Sequence, residues 1–317
     1  TLAELITPAQ IALGLGDDYL LQLNAFFAKT GLPAYIRPLG EPNRCLNAWS
    51  AVYCDGSQRG GEHTTGWYKQ AFRRISAIVR GGQTLEGINL TLAEIGLPPL
   101  NRTKGPPPTA LGAAPVSMIW SPLPGGSPRV KGNFPGNYWP GSPWVDWVGT
   151  DFYSQYPVWK DLQRFYKGKQ WQRKPVAVTE WAVSREDEPR WVKQLISWVV
   201  KRPRVRMLVY YVGFGAGNDL SLARAPLIER VERRARHRQR GRLPQSPPSI
   251  AGKLERAAVP AAPEPTAIEA DRLESRHHQL ASRARHDRRT LVLQIALDQL
   301  RERLGARPHI IGAEIGQ

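Results

Sequence analysis

The chain has 317 residues and a formal net charge of +17. This length allows one large domain or two smaller ones, and the charge raises the question of an anionic polymer as partner. No apolar run approaches the roughly 20 residues that a transmembrane helix needs, which excludes a membrane-spanning protein.

The aromatic and the basic residues are unevenly distributed along the chain. All 11 Trp lie between Trp49 and Trp198, and Phe214 is the last aromatic residue of any kind. The part that follows is richer in Arg and holds most of the His. A basic tail binds phosphate polymers or is simply solvated. Because this tail has no aromatic side chain for base stacking, specific nucleic-acid binding is disfavoured.

Short apolar strands alternate with helices through the first two thirds of the chain. In chain order, the patterns predict a helix at 18–29, a strand at 34–39, a helix at 67–79, a strand at 116–120, a strand within 144–153, a helix at 158–167, a strand at 176–179, a helix at 188–200 and a strand at 207–211. Such alternation is typical of a parallel sheet with helices packed outside it. Long loops follow several of the strands, where α/β barrels carry their active sites.

The sequence pattern changes after the last of these strands, which predicts three regions. Residues 1–222 are expected to form the catalytic domain. Residues 223–267 are rich in Arg, Pro and Ala and are expected to be a disordered linker. Residues 268–317 have helix-forming composition with leucines at spacings of three and four, which predicts an amphipathic helical tail.

The two cysteines, Cys45 and Cys54, are nine positions apart in a loop-like stretch. A disulfide between them would fit an exported protein, and two free thiols are the alternative. The chain starts at Thr1 and shows no basic-then-apolar leader, so either a removed leader or a fragment is expected. An extracellular location is predicted.

Two glutamates stand directly after predicted strands. Glu41 follows the strand at 34–39, and Glu180 follows the strand at 176–179. A carboxylate at the carboxyl end of a barrel strand points into the mouth of the barrel, where substrate binds. Glycoside hydrolysis needs two such groups, one to protonate the leaving oxygen and one to attack or to activate water. An acid in this position is also, on its own, often a cap or a salt-bridge partner.

Four motifs in order resemble glycoside hydrolase family 26, the β-mannanase-type enzymes of the large (β/α)8 retaining clan. Residues 37–43, Arg-Pro-Leu-Gly-Glu-Pro-Asn, are similar to the family's Arg-Pro-Leu-His-Glu-Met-Asn segment at the end of the fourth strand. Residues 120–122 and 138–141 are similar to the fifth strand and its Tyr-Pro-Gly loop, and residues 145–153 to the sixth strand. Residues 174–181 are similar to the seventh strand.

The resemblance implies a retaining site without cofactor or metal. Glu41 would be the acid/base and Glu180 the nucleophile, with their carboxyl groups about 5–5.5 Å apart. Tyr153 matches the aromatic position that hydrogen-bonds the nucleophile. The predicted substrate-binding residues are Asn43, Trp49, Tyr153, Trp181 and Tyr211, the aromatic ones because sugar rings pack on such side chains near strand ends.

Two departures from the family pattern bear on activity. The family's His before the acid/base is Gly40 here, and its Met is Pro42. The resemblance also begins at the fourth strand, so the predicted fold is a partial (β/α)8 barrel of about five parallel strands, equivalent to strands 4–8, followed by a basic tail. An open five-stranded sheet leaves two edges unpaired, which predicts marginal stability and weak activity.

The leading hypothesis is an endo-acting retaining glycosidase that cleaves a β-linked polysaccharide, with β-1,4-mannan as the first candidate. One alternative is an inactive truncated barrel that binds carbohydrate or has no activity. Another is a protein that binds anionic polymers through residues 230–242. No membrane partner is expected.

Overall fold

A computed structural model describes residues 6–101, 105, 108–183 and 188–211, and the backbone of 214–215 and 218–219. The helices are α1 (Pro8–Ala12), α2 (Asp17–Thr30), α3 (Thr65–Arg80), α4 (Leu85–Glu94), α5 (Trp159–Tyr166) and α6 (Pro189–Val200). The strands are β1 (Ala34–Ile36), β2 (Gln83–Thr84), β3 (Ala110–Leu111), β4 (Val116–Trp120), β5 (Trp147–Asp151), β6 (Val176–Trp181), β7 (Val205–Tyr210), β8 (Phe214–Gly215) and β9 (Asn218–Asp219). None of the described helices is both long and apolar enough to cross a membrane.

Five strands form one sheet in the order β1-β4-β5-β6-β7, and every neighbouring pair is parallel. The sheet curls into a half-barrel with helices packed against it, so the predicted partial (β/α) barrel is confirmed. Because the strands follow their order in the chain, all their carboxyl ends lie on one rim. The short pairs β2–β3 and β8–β9 are separate antiparallel ribbons.

Alternate residues along each strand face opposite sides of the sheet. One side packs on the helices and forms two large apolar clusters, one around α3 and α4 and one around α6. The other side forms a smaller inner cluster, made of Ile119, Ala177, Met207 and Val209 with Tyr35 and Trp147 against it. Gly149 in β5 lets neighbouring strands approach closely, since a Cβ there would lie 2.7 Å from the side chain of Thr179.

Helices α2 and α3 are joined by a fully buried ion pair. The carboxylate of Asp17 accepts hydrogen bonds from Arg74 Nε at 2.8 Å and from Nη2 at 2.5 Å. Arg74 also donates to the carbonyls of Ala12, Pro98 and Pro99. Because both charges are paired and their remaining hydrogen-bonding atoms are used, burying them is tolerated.

Several elements differ from the sequence prediction. The first strand ends at Ile36 and not at 39, since Leu39 already has a positive φ of 51°. Helices α1 and α4 and the short pairs β2–β3 and β8–β9 were not predicted. Cys45 and Cys54 form a disulfide, which decides between the two alternatives. The predicted linker at 223–267 and helical tail at 268–317 lie outside the described residues.

Candidate active site

The carboxyl ends of all five parallel strands contribute side chains to one cluster. They are Arg37 and Glu41 after β1, Ser121 after β4, Asp151 and Tyr153 at and after the end of β5, Glu180 in β6, and Tyr211 after β7. Residues far apart in the chain are therefore brought together on the rim where barrel active sites lie. Both predicted catalytic glutamates belong to this cluster.

Glu41 lies in a turn whose backbone is held in an uncommon conformation. Glu41 itself has a φ of 47°, in the left-handed region that non-glycine residues rarely adopt. Its N–H donates to the carbonyl of Ser121 at 2.7 Å, and Asn47 Nδ2 donates to the carbonyls of Gly40 and Glu41 at 3.2 and 3.0 Å. Backbone strain of this kind persists only where surrounding contacts enforce it, and it clusters at functional sites.

The carboxylate of Glu41 is nearly buried and has a cationic partner. Arg44 Nη1 lies 2.7 Å from Glu41 Oε2. Glu41 is 8% exposed, whereas the side chain of Arg44 is 45% exposed. One oxygen of Glu41 is therefore paired with a group that also reaches solvent.

The carboxylate of Glu180 is held by two donors. Arg37 Nη1 pairs with Oε1, and the hydroxyl of Tyr153 donates to Oε2. Each oxygen thus accepts from a different side chain. This fixes the orientation of the carboxylate, as a nucleophile requires.

Arg37 is shared between two carboxylates. Its Nη2 lies 2.5 Å from Asp151 Oδ2, and the side chain of Asp151 is fully buried. Asp151 Oδ1 accepts from the hydroxyl of Thr179 at 2.7 Å, and that hydroxyl lies 2.6 Å from Ser121 Oγ. A chain of hydrogen bonds therefore crosses the sheet from β4 to β6 and positions Arg37 against Glu180.

The pKa values of Glu180 and Asp151 are shifted in opposite directions. Burial alone would raise the pKa of Glu180, but Arg37 and the hydrogen bond from Tyr153 bring it below its usual value. Burial, with the charges of Glu180 and Glu41, raises the pKa of Asp151 well above its usual value despite Arg37. Of the two carboxylates that share Arg37, Glu180 is therefore the one favoured to stay ionised. Burial and the charge of Glu180 raise the pKa of Tyr153, which keeps its hydroxyl protonated as a donor.

Two of the predicted substrate-binding residues are buried. Asn43 is 0% exposed, and its amide donates to the carbonyl of Leu123 at 2.9 Å and accepts from the N–H of Leu123 at 2.8 Å. Trp181 is 1% exposed and packs edge to face on Tyr210 with ring centroids 4.8 Å apart. This burial does not agree with a direct sugar contact for either residue. Asn43 fastens the Glu41 loop to the loop after β4, and Trp181 is part of the core.

The other predicted aromatic residues keep exposed surface. Tyr211 is 37% exposed and meets Tyr153 edge to face with centroids 6.2 Å apart, so it borders the Glu180 side of the cluster. Trp49 is half-buried, and its indole N–H donates to the carbonyl of Gly40 at 2.7 Å. Trp49 thus supports the turn that carries Glu41, and a sugar contact for its ring stays a prediction.

Arg37, Arg44, Ser121 and Asp151 contribute to the site but were not assigned a role from the sequence. Asp151 ends a strand just as the two glutamates follow predicted ones, so the same rule on strand ends would have found it. Arg37 carries no such signal, because its role depends on carboxylates that the fold brings in from other strands. Arg44 stands three residues after Glu41 in the same loop, and that spacing is a local signal for the ion pair. Among the described residues, no group of three or more His, Cys, Asp or Glu side chains is arranged to hold a metal ion.

Comparisons with known proteins give only distant likenesses. No family model and no curated protein matches the sequence. An endo-β-1,4-mannanase double mutant from Cellulomonas fimi has 17% identity and a TM-score of 0.46, over 71% of this chain and 47% of that one. A GH128 endo-β-1,3-glucanase from Pseudomonas viridiflava has 15% identity and a TM-score of 0.36, over 66% and 68%. GH26A from Muricauda sp. MAR_2010_75 has 17% identity and a TM-score of 0.35, over 64% and 53%.

The chain spans about half the length of the mannanase that it matches. With TM-scores below 0.5, these likenesses carry no assignment of function.

Proposed function

We propose that the protein is a retaining glycoside hydrolase that cleaves a β-linked polysaccharide internally, with a β-1,4-mannan backbone as the first candidate substrate. The observation that supports this most directly is the setting of Glu180. Its two oxygens are held by Arg37 and Tyr153, and both contacts favour the ionised form that can attack an anomeric carbon. Glu41, on the neighbouring loop, supplies the second carboxyl that the reaction needs.

In the proposed reaction, Glu180 attacks the anomeric carbon while Glu41 gives a proton to the leaving glycosidic oxygen. The glycosyl–enzyme ester forms as the sugar–oxygen bond breaks. Glu41, now ionised, takes a proton from water, and that water displaces Glu180 and releases the sugar with its original configuration. Tyr153 and Arg37 hold Glu180 in place during both steps. This mechanism requires about 5–5.5 Å between the two carboxyl groups.

The first experiment measures reducing ends released from β-1,4-mannan, together with the anomer first formed, observed by proton NMR. We expect the β anomer first. Glu180→Gln should lower the rate on the order of 10⁴ to 10⁶-fold. Glu86→Gln, which removes an exposed carboxylate on α4, is the control and should leave the rate unchanged. Release of the inverted anomer, or equal rates for both variants, would contradict the proposal.

Covalent trapping tests the nucleophile separately from turnover. A 2-deoxy-2-fluoro-mannosyl fluoride should add one glycosyl mass, and peptide mapping should place it on Glu180. In Glu180→Gln the mass should not change. A label on another residue would show that Glu180 is not the nucleophile.

A second function has one observation in its favour. Within the described residues the sheet has five strands, so one side of the cluster faces no strand of this sheet. A protein with this architecture could bind a glycan without cleaving it. Retarded migration in mannan-containing gels without any reducing-end release would identify that case.

We further propose that the protein works outside the cytoplasm. The disulfide between Cys45 and Cys54 supports this, because such bonds persist in oxidising compartments.

A further inference from the structure

The loop that carries Glu41 packs against the loop after β4, and together they form a basic rim. We call residues 42–60 and 122–134 the acid/base rim. The two loops are joined by hydrogen bonds from the N–H of Cys45 to the carbonyl of Ser127 at 2.7 Å and from the N–H of Ser127 to the carbonyl of Asn43 at 2.8 Å. The rim contains four cationic side chains and a single carboxylate: Arg44, Arg59, Arg129 and Lys131 against Asp55.

The carboxylate does little to neutralise these cations. Asp55 is fully exposed and accepts from the hydroxyl and the N–H of Ser57 at 2.7 and 2.9 Å. Arg129 pairs with Asp161 of α5, outside the rim, and Arg59 donates to the carbonyls of Cys45 and Ala48. Arg44 and Arg129 are paired with Glu41 and Asp161, so Arg59 and Lys131 leave the rim only a small excess of positive charge beside the proposed acid/base.

Arg44 is the member of the rim that reaches into the site. It pairs with Glu41, and its charge also interacts with that of Glu180 across the cluster. With 45% of its side chain exposed, it can bind a group that enters from solvent. A guanidinium has five N–H donors, so one bond to Glu41 leaves donors for a second anion.

Arg44 and Glu41 lie on the same side of the site, since their side chains are in contact. In the proposed reaction Glu41 acts on the leaving oxygen. An anion bound by Arg44 would therefore lie on the leaving-group sugar.

We propose that the β-linked backbone of the substrate carries negatively charged substituents, and that Arg44 binds such a substituent on the sugar on the leaving-group side. This inference rests on the proposed glycosidase function and narrows its substrate class. A uronic-acid carboxylate and a sulfate ester share the chemistry that Arg44 recognises, since both offer two oxygens to the planar guanidinium.

The test compares substrates with one backbone and different charge. They are β-1,4-mannan, the same mannan oxidised at C6 to carboxylate, and the same mannan carrying sulfate esters. For the wild-type chain, kcat/KM should be about tenfold higher on one of the charged mannans than on the neutral one, as expected for one charge-assisted hydrogen bond. The charged mannan with the higher kcat/KM shows whether Arg44 recognises a carboxylate or a sulfate ester. The preference should shrink as salt is raised from low to physiological ionic strength.

Variants assign the preference to Arg44. Arg44→Gln should lose it, and Arg44→Lys should retain most of it because the charge remains. Lys201→Gln is the control, since Lys201 is exposed at the end of α6, where the chain returns to the opposite end of the strands. Equal kcat/KM on neutral and charged mannans, or a preference that survives in Arg44→Gln, would overturn the inference.

A binding measurement tests this inference separately from the proposed function. Migration in gels containing each mannan measures binding without turnover. If no mannan is hydrolysed but the charged ones retard the wild type more than Arg44→Gln, the glycosidase proposal fails and the anion site stands. If all three mannans are hydrolysed at one rate, the glycosidase proposal stands and the anion site fails.

Discussion

Gly40 and Arg37 occupy neighbouring space, which gives a physical reason for the residue that stands before Glu41. A Cβ at position 40 would lie 2.9 to 3.0 Å from three atoms of the Arg37 guanidinium. A larger side chain at position 40 would therefore need the Arg37 guanidinium elsewhere. In this chain the space beside the proposed acid/base is filled by the group that orients Glu180.

Adding one methyl group at this position tests that reasoning. We expect Gly40→Ala to displace the guanidinium and to lower kcat by about 10²-fold, the cost of a displacement near 1 Å at a catalytic group. The thermal unfolding midpoint should change little, because the methyl group meets the end of a side chain and not the backbone. Gly31→Ala is a poor comparison because of its positive φ, so Gly66→Ala serves as the control. Full activity in Gly40→Ala would show that Arg37 has room to move.

The pH dependence of the reaction should report on Arg37. Glu180 must be ionised to attack, and Arg37 lowers the pKa of Glu180. Arg37→Gln removes that effect, so the pKa rises and the acidic limb of kcat/KM moves to higher pH. Arg37→Lys keeps a charge and should shift the limb less. If the acidic limb of kcat/KM lies at the same pH in both variants as in the wild type, ionisation of Glu180 does not determine it.

At the scale of elements, the loop after β1 carries most of the unusual features of the site. It contains the turn at Glu41, the cation Arg44 and the disulfide partner Cys45. The disulfide joins Cys45 to Cys54 within this loop, and Arg59 donates to the carbonyl of Cys45 at 2.6 Å. The loop is thus fastened at the residue directly after Arg44.

Removing the disulfide should affect both stability and activity. In Cys45→Ser/Cys54→Ser we expect a loss of about 2–3 kcal/mol in the free energy of unfolding, from the entropy of the closed loop. Activity measured well below the unfolding midpoint should also fall, because Glu41 and Arg44 lose their anchor. Urea unfolding and reducing-end release measure the two effects. Unchanged activity in the folded variant would show that the hydrogen bonds to Ser127 hold the loop unaided.

The ion pair between α2 and α3 gives a prediction on stability alone. Arg74→Leu leaves the buried carboxylate of Asp17 without its partner, which should cost about 3–5 kcal/mol in the free energy of unfolding. Replacing both residues, as in Asp17→Asn with Arg74→Leu, should recover part of the loss, since no unpaired charge remains. Urea titrations of the wild type, Asp17→Asn, Arg74→Leu and the double variant form the cycle. An additive double variant would mean that the two side chains do not interact in solution.

Elements with strong apolar periodicity could be predicted from the sequence, and those fixed by long-range contacts could not. Helix α3 was expected at 67–79 and spans Thr65–Arg80, because a broad apolar face and the cap at Thr64 both mark it. Helix α4 was missed, since only Ile88 and Leu92 are buried in it. Strand β1 was predicted too long, because the apolar pattern at 34–39 gives no signal of the positive φ at Leu39.

In the site, too, some residues could be predicted from local patterns and others could not. The two glutamates followed from their positions after strands. The pairing of Arg37 with Glu180 depends on the distance between two strand ends, which no local pattern encodes. The pairing of Arg44 with Glu41 spans only three residues, so it had a local signal that was not used. Asn43 was assigned to substrate because of its place in a motif, yet the fold uses its amide to bridge two loops.

At the scale of the whole molecule, the sheet has two edges within the described residues, at β1 and at β7. β1 has three residues, and β7 has six. An edge strand presents N–H and C=O groups without a partner strand, and such edges open more readily than central strands. Stability should therefore decrease from the middle of the sheet outward.

Hydrogen exchange of the 317-residue chain tests this gradient. We expect the amides of β5 and β6, each paired on both sides, to exchange at the rate of global unfolding. Amides of β1 should exchange faster through local opening, because that strand is short and pairs only with β4. Local opening of β1 matters for function, since Arg37 and Glu41 directly follow it, and each opening event would separate Arg37 from Glu180 and Asp151. We therefore expect protection of β1 to rise when a charged mannan is bound. Protection of β1 equal to that of β6 without any ligand would show that this edge is as stable as the interior of the sheet.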